Sequence, residues 1–209
     1  KSDNNNDNNN NNCPIVIEQG TSFAAPILAG YATLVRQYFM DGWYPSGYAN
    51  LKDSFIPSGS LIKAVLVHGG MPLDYISDGE ISTKTTWGDN NQGYGRAQLN
   101  NVLSFHRNAT LNGLTMFVKG AVSKSSKYYV EFKTGSKPHQ YTFRTQNLKK
   151  LSPIRITLAY TDYYGTVGAT NALINDLDLQ LSNSTHVFYP LITNDATNRY
   201  DRKNNLEFI

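Results

Sequence analysis

The sequence predicts two unlike halves: the C-terminal part of an α/β domain over residues 13–107, then an antiparallel β-sandwich or jelly-roll module over residues 108–209, truncated at its end. Three observations carry that division. Apolar residues recur at spacings of three and four over 23–39, the period of a helix with a buried face. A second apolar run over 61–68 is bounded by serine on one side and paired glycines on the other. Beyond about Arg107 the pattern changes to short β-rich runs separated by turn residues, as antiparallel sheets require.

Taken in order, residues 1–12 hold no apolar side chain and are expected to be disordered, an Asn-rich low-complexity insert. Cys13 to Ile17 is a short apolar run suited to a buried strand or an extended segment, broken by Glu18-Gln19-Gly20. A long helix follows from Ser22, with Phe23, Ile27, Leu28, Tyr31, Leu34, Val35, Tyr38 and Phe39 as its apolar positions and Asp41-Gly42 as its stop. Residues 43–57 read as loop, and a second helix over 61–68 takes Ser58 or Ser60 as N-cap and stops at Gly69-Gly70. Residues 71–95 read as an irregular surface segment, and Gly93-Tyr94-Gly95-Arg96 leads into a short third helix over about 97–103. Strands are expected at 114–118, 128–132, 141–144, 154–160, 177–181 and 187–189.

Composition narrows the function classes. With 209 residues, 40% apolar and 12% aromatic, the chain can bury a real core. The net charge is only +3 and the basic residues are scattered, which argues against a nucleic-acid partner. No run of 18 apolar residues exists, so no spanning helix is expected. Cys13 is the single cysteine, so no internal disulfide framework forms. The polar N-terminus has no signal-peptide core, and Asn205-Leu206-Glu207-Phe208-Ile209 breaks off inside an apolar–polar alternation. The chain therefore reads as a piece of a longer protein. Asn108-Ala109-Thr110 and Asn183-Ser184-Thr185 are glycosylation sequons, usable only on the lumenal side of a secretory membrane.

The chemistry-bearing stretch is Gly20-Thr21-Ser22-Phe23-Ala24-Ala25-Pro26. A serine hydroxyl needs a base to take its proton and donors to hold the developing oxyanion. At a helix start, Ser22 has unsatisfied backbone N–H groups and the positive end of the dipole beside it. Gly20 lets a substrate approach the backbone, and Pro26 is expected to cost little where few ladder bonds have formed. The structural alternative is that Thr21 or Ser22 merely caps the helix.

The full string resembles the active-site serine segment of the subtilisin-like proteases, Gly-Thr-Ser-Met-Ala-x-Pro, with Phe23 in place of the usual Met. The following helix and Gly93-Tyr94-Gly95-Arg96 are also similar to that family. The resemblance implies a serine endopeptidase in which Ser22 attacks a peptide carbonyl, a His acts as base and then acid, and an Asp orients the His. The Ser22 backbone N–H and an Asn side chain would form the oxyanion hole. The family order is Asp, His, Ser, so the other members are expected upstream of this chain. His68, at the end of the second helix on an apolar background, reads as a packed histidine, and His106, His139 and His186 match no base motif. An inactive pseudoprotease or a β-module that only binds is the rival reading.

In the second half, Leu177, Leu179 and Leu181 share one strand face and Asp176, Asp178 and Gln180 the other. The carboxylates are either a solvated outer face or, with Asp162 and Asn175, hard oxygen donors for calcium in a pattern unlike an EF-hand. Thr157-Leu158-Ala159-Tyr160-Thr161-Asp162, Asn175-Asp176-Leu177-Asp178-Leu179 and Asp201-Arg202-Lys203-Asn204-Asn205-Leu206-Glu207 resemble the C-terminal β-barrel domain of a subset of subtilases. That resemblance implies a structural calcium ion in some members, no cofactor for catalysis, and a protein or peptide substrate. It also implies fusion to a membrane transporter half of the ABC type in some relatives. The expected place is then the secretory pathway, the cell exterior or a membrane.

Overall fold

The computed structural model describes residues 20–73, 75–77, 82–84, 88–89, 91–105, 116–120, 131–133, 135–144, 154–191 and 201–209. The Asn-rich segment 1–12, the apolar run 13–17, His106, the boundary at Arg107, the sequon at Asn108 and parts of the expected strands 114–118 and 128–132 lie outside the described residues.

Helix α1 spans Thr21–Met40. It ends where Gly42 takes a φ of 71°. The Gly42 N–H donates to Phe39 O and the Trp43 N–H to Tyr38 O, both at 3.1 Å, so the last turn's carbonyls are satisfied in a Schellman arrangement. A Cβ at Gly42 would lie 1.9 Å from Asn50 O, which excludes any other residue there. Helix α2 spans Gly59–His68. Of the two candidate caps, Ser58 is the one used: its Oγ accepts the Leu61 N–H at 3.1 Å, an interaction worth about 1 kcal/mol.

The two helices pack through Val35, Tyr38 and Phe39 of α1 and Leu61 and Val65 of α2, with Tyr44, Val102, Leu103 and Val118 closing the cluster. The Phe39 ring meets Tyr38 edge-on at 5.4 Å and lies 5.0 Å from Phe55. Val118 belongs by sequence to the second half, yet it is buried here and its N–H donates to the Tyr44 hydroxyl at 2.9 Å. The core thus takes only the C-terminal half of α1. Phe23, Ile27, Leu28 and Leu34, on the expected apolar face of the same helix, are 44 to 58% exposed.

The expected third helix is only a 3-10 turn at Leu99–Asn101. Consecutive asparagines favour helix poorly. Asn101 instead makes a tertiary bond, its buried carboxamide donating to Gly69 O at 3.1 Å. The stretch expected to be irregular holds a small ladder, strands β1 (Tyr75–Ser77) and β2 (Ser82–Lys84), antiparallel with Tyr75 opposite Lys84.

Four further strands are described: β3 (Thr157–Ala159), β4 (Leu181–Ser182), β5 (Val187–Phe188) and β6 (Leu206–Phe208). Strands β3 and β6 pair antiparallel with Thr157 opposite Phe208, and Ile156 and Ile209 extend the ladder by exchanging backbone bonds at 2.8 and 2.9 Å. Strands β4 and β5 form a hairpin with Leu181 opposite Phe188. The expected strands at 154–160 and 187–189 are realised in shortened form. Over 177–181 the leucine side is half-buried and the Asp and Gln side exposed, but only Leu181 joins a ladder. Residues 141–144 form no ladder among the described residues, and Tyr141 and Phe143 are exposed.

Helix α2 lies against β3. Thr157 Oγ1 sits 2.9 Å from His68 Nδ1, and Arg155 Nη1 donates to the carbonyls of His68 and Gly70 at 3.1 Å each. A guanidinium at this position satisfies carbonyls at the C-terminus of α2 and complements its dipole. Lys63 Nζ donates to Asn205 Oδ1 at 2.6 Å, and the Tyr94 and Phe208 rings meet edge-on at 6.1 Å. The helical part and the β part are joined along this seam.

Candidate functional site

Ser22 is the second residue of α1 and is exposed. The N-cap is Gly20, with φ 144° and ψ 160° and no side-chain capping bond. That φ lies in the region that favours glycine, although a Cβ there would have room. Gly20 O accepts the N–H groups of Phe23 and Ala24 at 3.1 and 3.2 Å. Neither Thr21 nor Ser22 therefore caps the helix. No hydrogen bond joins Ser22 Oγ to another described residue, and helix geometry leaves the Ser22 N–H without an internal acceptor.

Pro26 is the sixth helical residue, beyond the turn where N–H groups are unsatisfied in any case. It removes one ladder bond, the one that would end on the carbonyl of Ser22. The site is thus a hydroxyl, an open N–H and a released carbonyl on one residue at the positive end of a 20-residue helix.

The described histidines, His68, His139 and His186, are placed elsewhere. Burial, and then the neighbouring Arg155, push the His68 imidazole down to about 4, so it is neutral at neutral pH. It serves the α2–β3 seam, in keeping with its reading as a packed residue. His139 stacks on Phe132 at 4.2 Å, and His186 Nδ1 lies 2.7 Å from Thr185 Oγ1. Among the described residues none of them bonds to Ser22.

The acidic residues form two separate arrangements. Asp162 accepts the N–H groups of Tyr163, Ile174 and Asn175 and the Asn175 Nδ2, all at 2.7 to 3.0 Å. These bonds, the Ile174 N–H foremost, hold its carboxyl below the usual range. Tyr160 completes this loop by donating its hydroxyl to Asn175 O at 2.8 Å. Asp176 and Asp178 instead flank Arg202, whose Nη1 lies 2.5 Å from Asp176 and 3.0 Å from Asp178. These part-exposed pairs are worth about 1 kcal/mol or less each. Burial raises Asp178 more than Arg202 lowers it.

Calcium takes six to eight oxygen ligands. Here Asp162 and Asn175 are bonded to each other, and Arg202 supplies the cation that faces Asp176 and Asp178. No group of three or more His, Cys, Asp or Glu side chains converges among the described residues. The donor set does not fit a calcium ion in this arrangement. Adding a chelator at fixed pH and ionic strength is expected to leave the melting temperature unchanged, and a drop would restore the ion.

Sequence reasoning gave no role to Glu207. All of β6 is buried, with Leu206, Glu207 and Phe208 each 1% exposed. Glu207 Oε2 accepts the Leu179 N–H and Oε1 accepts the Asp201 N–H, so one carboxylate ties the 177–181 segment to β6. Burial pushes Glu207 up to about 7, with Asp178 and Asp201 adding to the rise and the two N–H bonds opposing it. Strand alternation would have turned Glu207 outward between two inward residues; a lone charge inside an apolar run was the available clue.

No family model and no solved structure matches the chain. It is similar to three curated proteins of Dictyostelium discoideum, each described as a serine protease/ABC transporter B family protein. The chain is 30% identical to tagA over 93% of its own length, 29% identical to tagD over 84%, and 27% identical to tagB over 79%. It spans only about a tenth of the length of each, 10% of tagA and tagB and 11% of tagD. Along most of its length, this chain is similar to segments of proteins named for a serine protease joined to an ABC transporter.

Proposed function

We propose that this chain is the nucleophile-bearing part of a subtilisin-type serine endopeptidase, followed by a β-sandwich or jelly-roll module. The observation that carries the reading is Ser22 in its Gly20–Pro26 string at the second position of α1, its hydroxyl used neither for capping nor for any bond among the described residues. The relatives' names, which include a serine protease, support it. Ser22 Oγ attacks the scissile carbonyl carbon while a His from preceding sequence takes the hydroxyl proton, and an Asp from the same region orients that His. The Ser22 N–H, at the positive end of α1, stabilises the oxyanion. The C–N bond then breaks, the imidazolium protonates the leaving amine, and water hydrolyses the acyl-enzyme. Phe23, Ile27, Leu28 and Leu34 would face the rest of the protease domain.

The same reading joins the protease to an ABC transporter, as in the relatives' names, and so to a membrane. Among the described residues no helix is long and apolar enough to span one. The test is labelling of the full-length protein with a fluorophosphonate, followed by peptide mapping. Label on Ser22 is expected; an unlabelled Ser22, in a sample where a reference serine hydrolase reacts, sinks the assignment in favour of a pseudoprotease.

A further inference from the structure

We propose that Asn183 is an N-glycosylation acceptor, which places the β4–β5 hairpin on the lumenal or extracellular side of a membrane. The proposal shares only the membrane setting with the protease reading. Asn183-Ser184-Thr185 has the acceptor, a non-proline middle residue and the required hydroxyl. The structure puts it at the turn of the β4–β5 hairpin, where residues 182–188 are all exposed.

The turn is built on the acceptor side chain. Asn183 Oδ1 accepts the Thr185 N–H at 2.9 Å and the His186 N–H at 2.7 Å, and the Thr185 hydroxyl lies 3.1 Å from it. The Asn183 N–H donates to His186 O at 2.9 Å and closes the hairpin. The carboxamide oxygen is therefore fully engaged, while among the described residues Asn183 Nδ2 has no partner and so no bond to lose. A glycosylated carboxamide keeps its carbonyl oxygen, so every bond that forms the turn survives modification. The glycan would extend from an exposed turn and displace no packed side chain.

The reaction needs a polyprenyl-diphosphate-linked oligosaccharide as donor. Asn183 Nδ2 bonds to C1 of the first sugar, the C1–O bond to the diphosphate breaks, and Nδ2 gives up one proton. The polyprenyl diphosphate leaves with the electron pair, and nothing is oxidised or reduced. The Asn108 sequon offers no such geometry to weigh, since it lies outside the described residues.

The test is expression of the full chain behind a cleavable secretory leader in eukaryotic cells, with glycosidase treatment and peptide mapping. A glycan on the Asn183 peptide is expected in the unmodified chain and in Asn108→Gln and Thr185→Ser, and complete loss in Asn183→Gln and Thr185→Val. A bare Asn183 peptide in the unmodified chain overturns the proposal, as does glycosidase sensitivity that only Asn108→Gln removes. Mapping the full-length protein from its own membranes tests orientation: a glycan there supports it, and an unmodified Asn183 overturns it. Label on Ser22 with a bare Asn183 would fail this proposal alone. A glycan on Asn183 with an unlabelled Ser22 would fail the protease reading alone.

Discussion

Under the proposed endopeptidase function, replacing Ser22 by Ala in the full-length protein is expected to lower kcat for peptide hydrolysis by about a millionfold, the scale of loss when a triad nucleophile is removed. The loss should fall on kcat, because the Ser22 backbone N–H and the helix dipole survive the change and substrate contacts elsewhere are untouched. Stability should hardly move. Ser22 Oγ makes no bond among the described residues, it is not the cap, and Ala is a good helix former. A steady-state assay on a peptide substrate, paired with a thermal melt, separates the two effects. Equal kcat in both proteins would remove Ser22 from the mechanism, and a collapsed melt would make it a structural residue instead.

The second large effect concerns a buried group, Glu207, and a half-buried one, His68, that titrate in opposite senses. Glu207 is held at about 7 when folded against an ordinary value of 4.5. Between those pH values the unfolded chain has lost the proton and the folded chain keeps it. Stability from this group is full below 4.5 and is lost as pH rises through 7. His68 is held at about 4 against an ordinary 6.5. The unfolded chain gains that proton first as pH falls, so stability from His68 is full above 6.5 and is lost on going down to 4. Each gap amounts to at most about 3 kcal/mol, and over pH 4.5 to 6.5 the two slopes offset one another.

The unmodified protein should therefore melt at nearly constant temperature across that window. Glu207→Gln should expose the His68 slope, with the melting temperature rising from pH 4.5 to 6.5, and His68→Asn should expose the opposite one. The charges facing Glu207 are Asp178 and Asp201, with Arg202 beyond them, and none is altered by either change. Parallel curves for all three proteins would show that neither group is perturbed by the fold. Titration of Asp162 falls below the window, because its carboxyl is already lowered.

What could be read from residues alone was local. The period of 23–39 gave α1, Asp41-Gly42 its end and Ser58 or Ser60 the start of α2, because caps and glycine stops act within one turn of the chain, and the structure chose Ser58. The Gly20–Pro26 string carried a resemblance to a serine-protease segment, and its place at a helix start leaves unsatisfied N–H groups in its own turn. The sequence also marked Asp162, Asn175, Asp176 and Asp178 as a polar group, but not what balances them.

Periodicity said that α1 has an apolar face, yet only the packing of α2, Tyr44, Val102 and Val118 decided that Val35, Tyr38 and Phe39 are covered while Phe23 and Ile27 are not. Asn101 left a helical expectation because Gly69, 32 positions away, needed a donor. Arg202 reached Asp178 across 24 positions and Asp176 across 26, a pairing that chain order does not show. The rise in Glu207 came from burial between segments that meet only in the fold. Ser22 and its helix were determined by the sequence itself, since bonds within a turn are encoded by neighbours. Which faces are dry, which charges meet and where protons are held were decided by tertiary structure alone, since burial and charge pairing depend on distances that chain order does not contain.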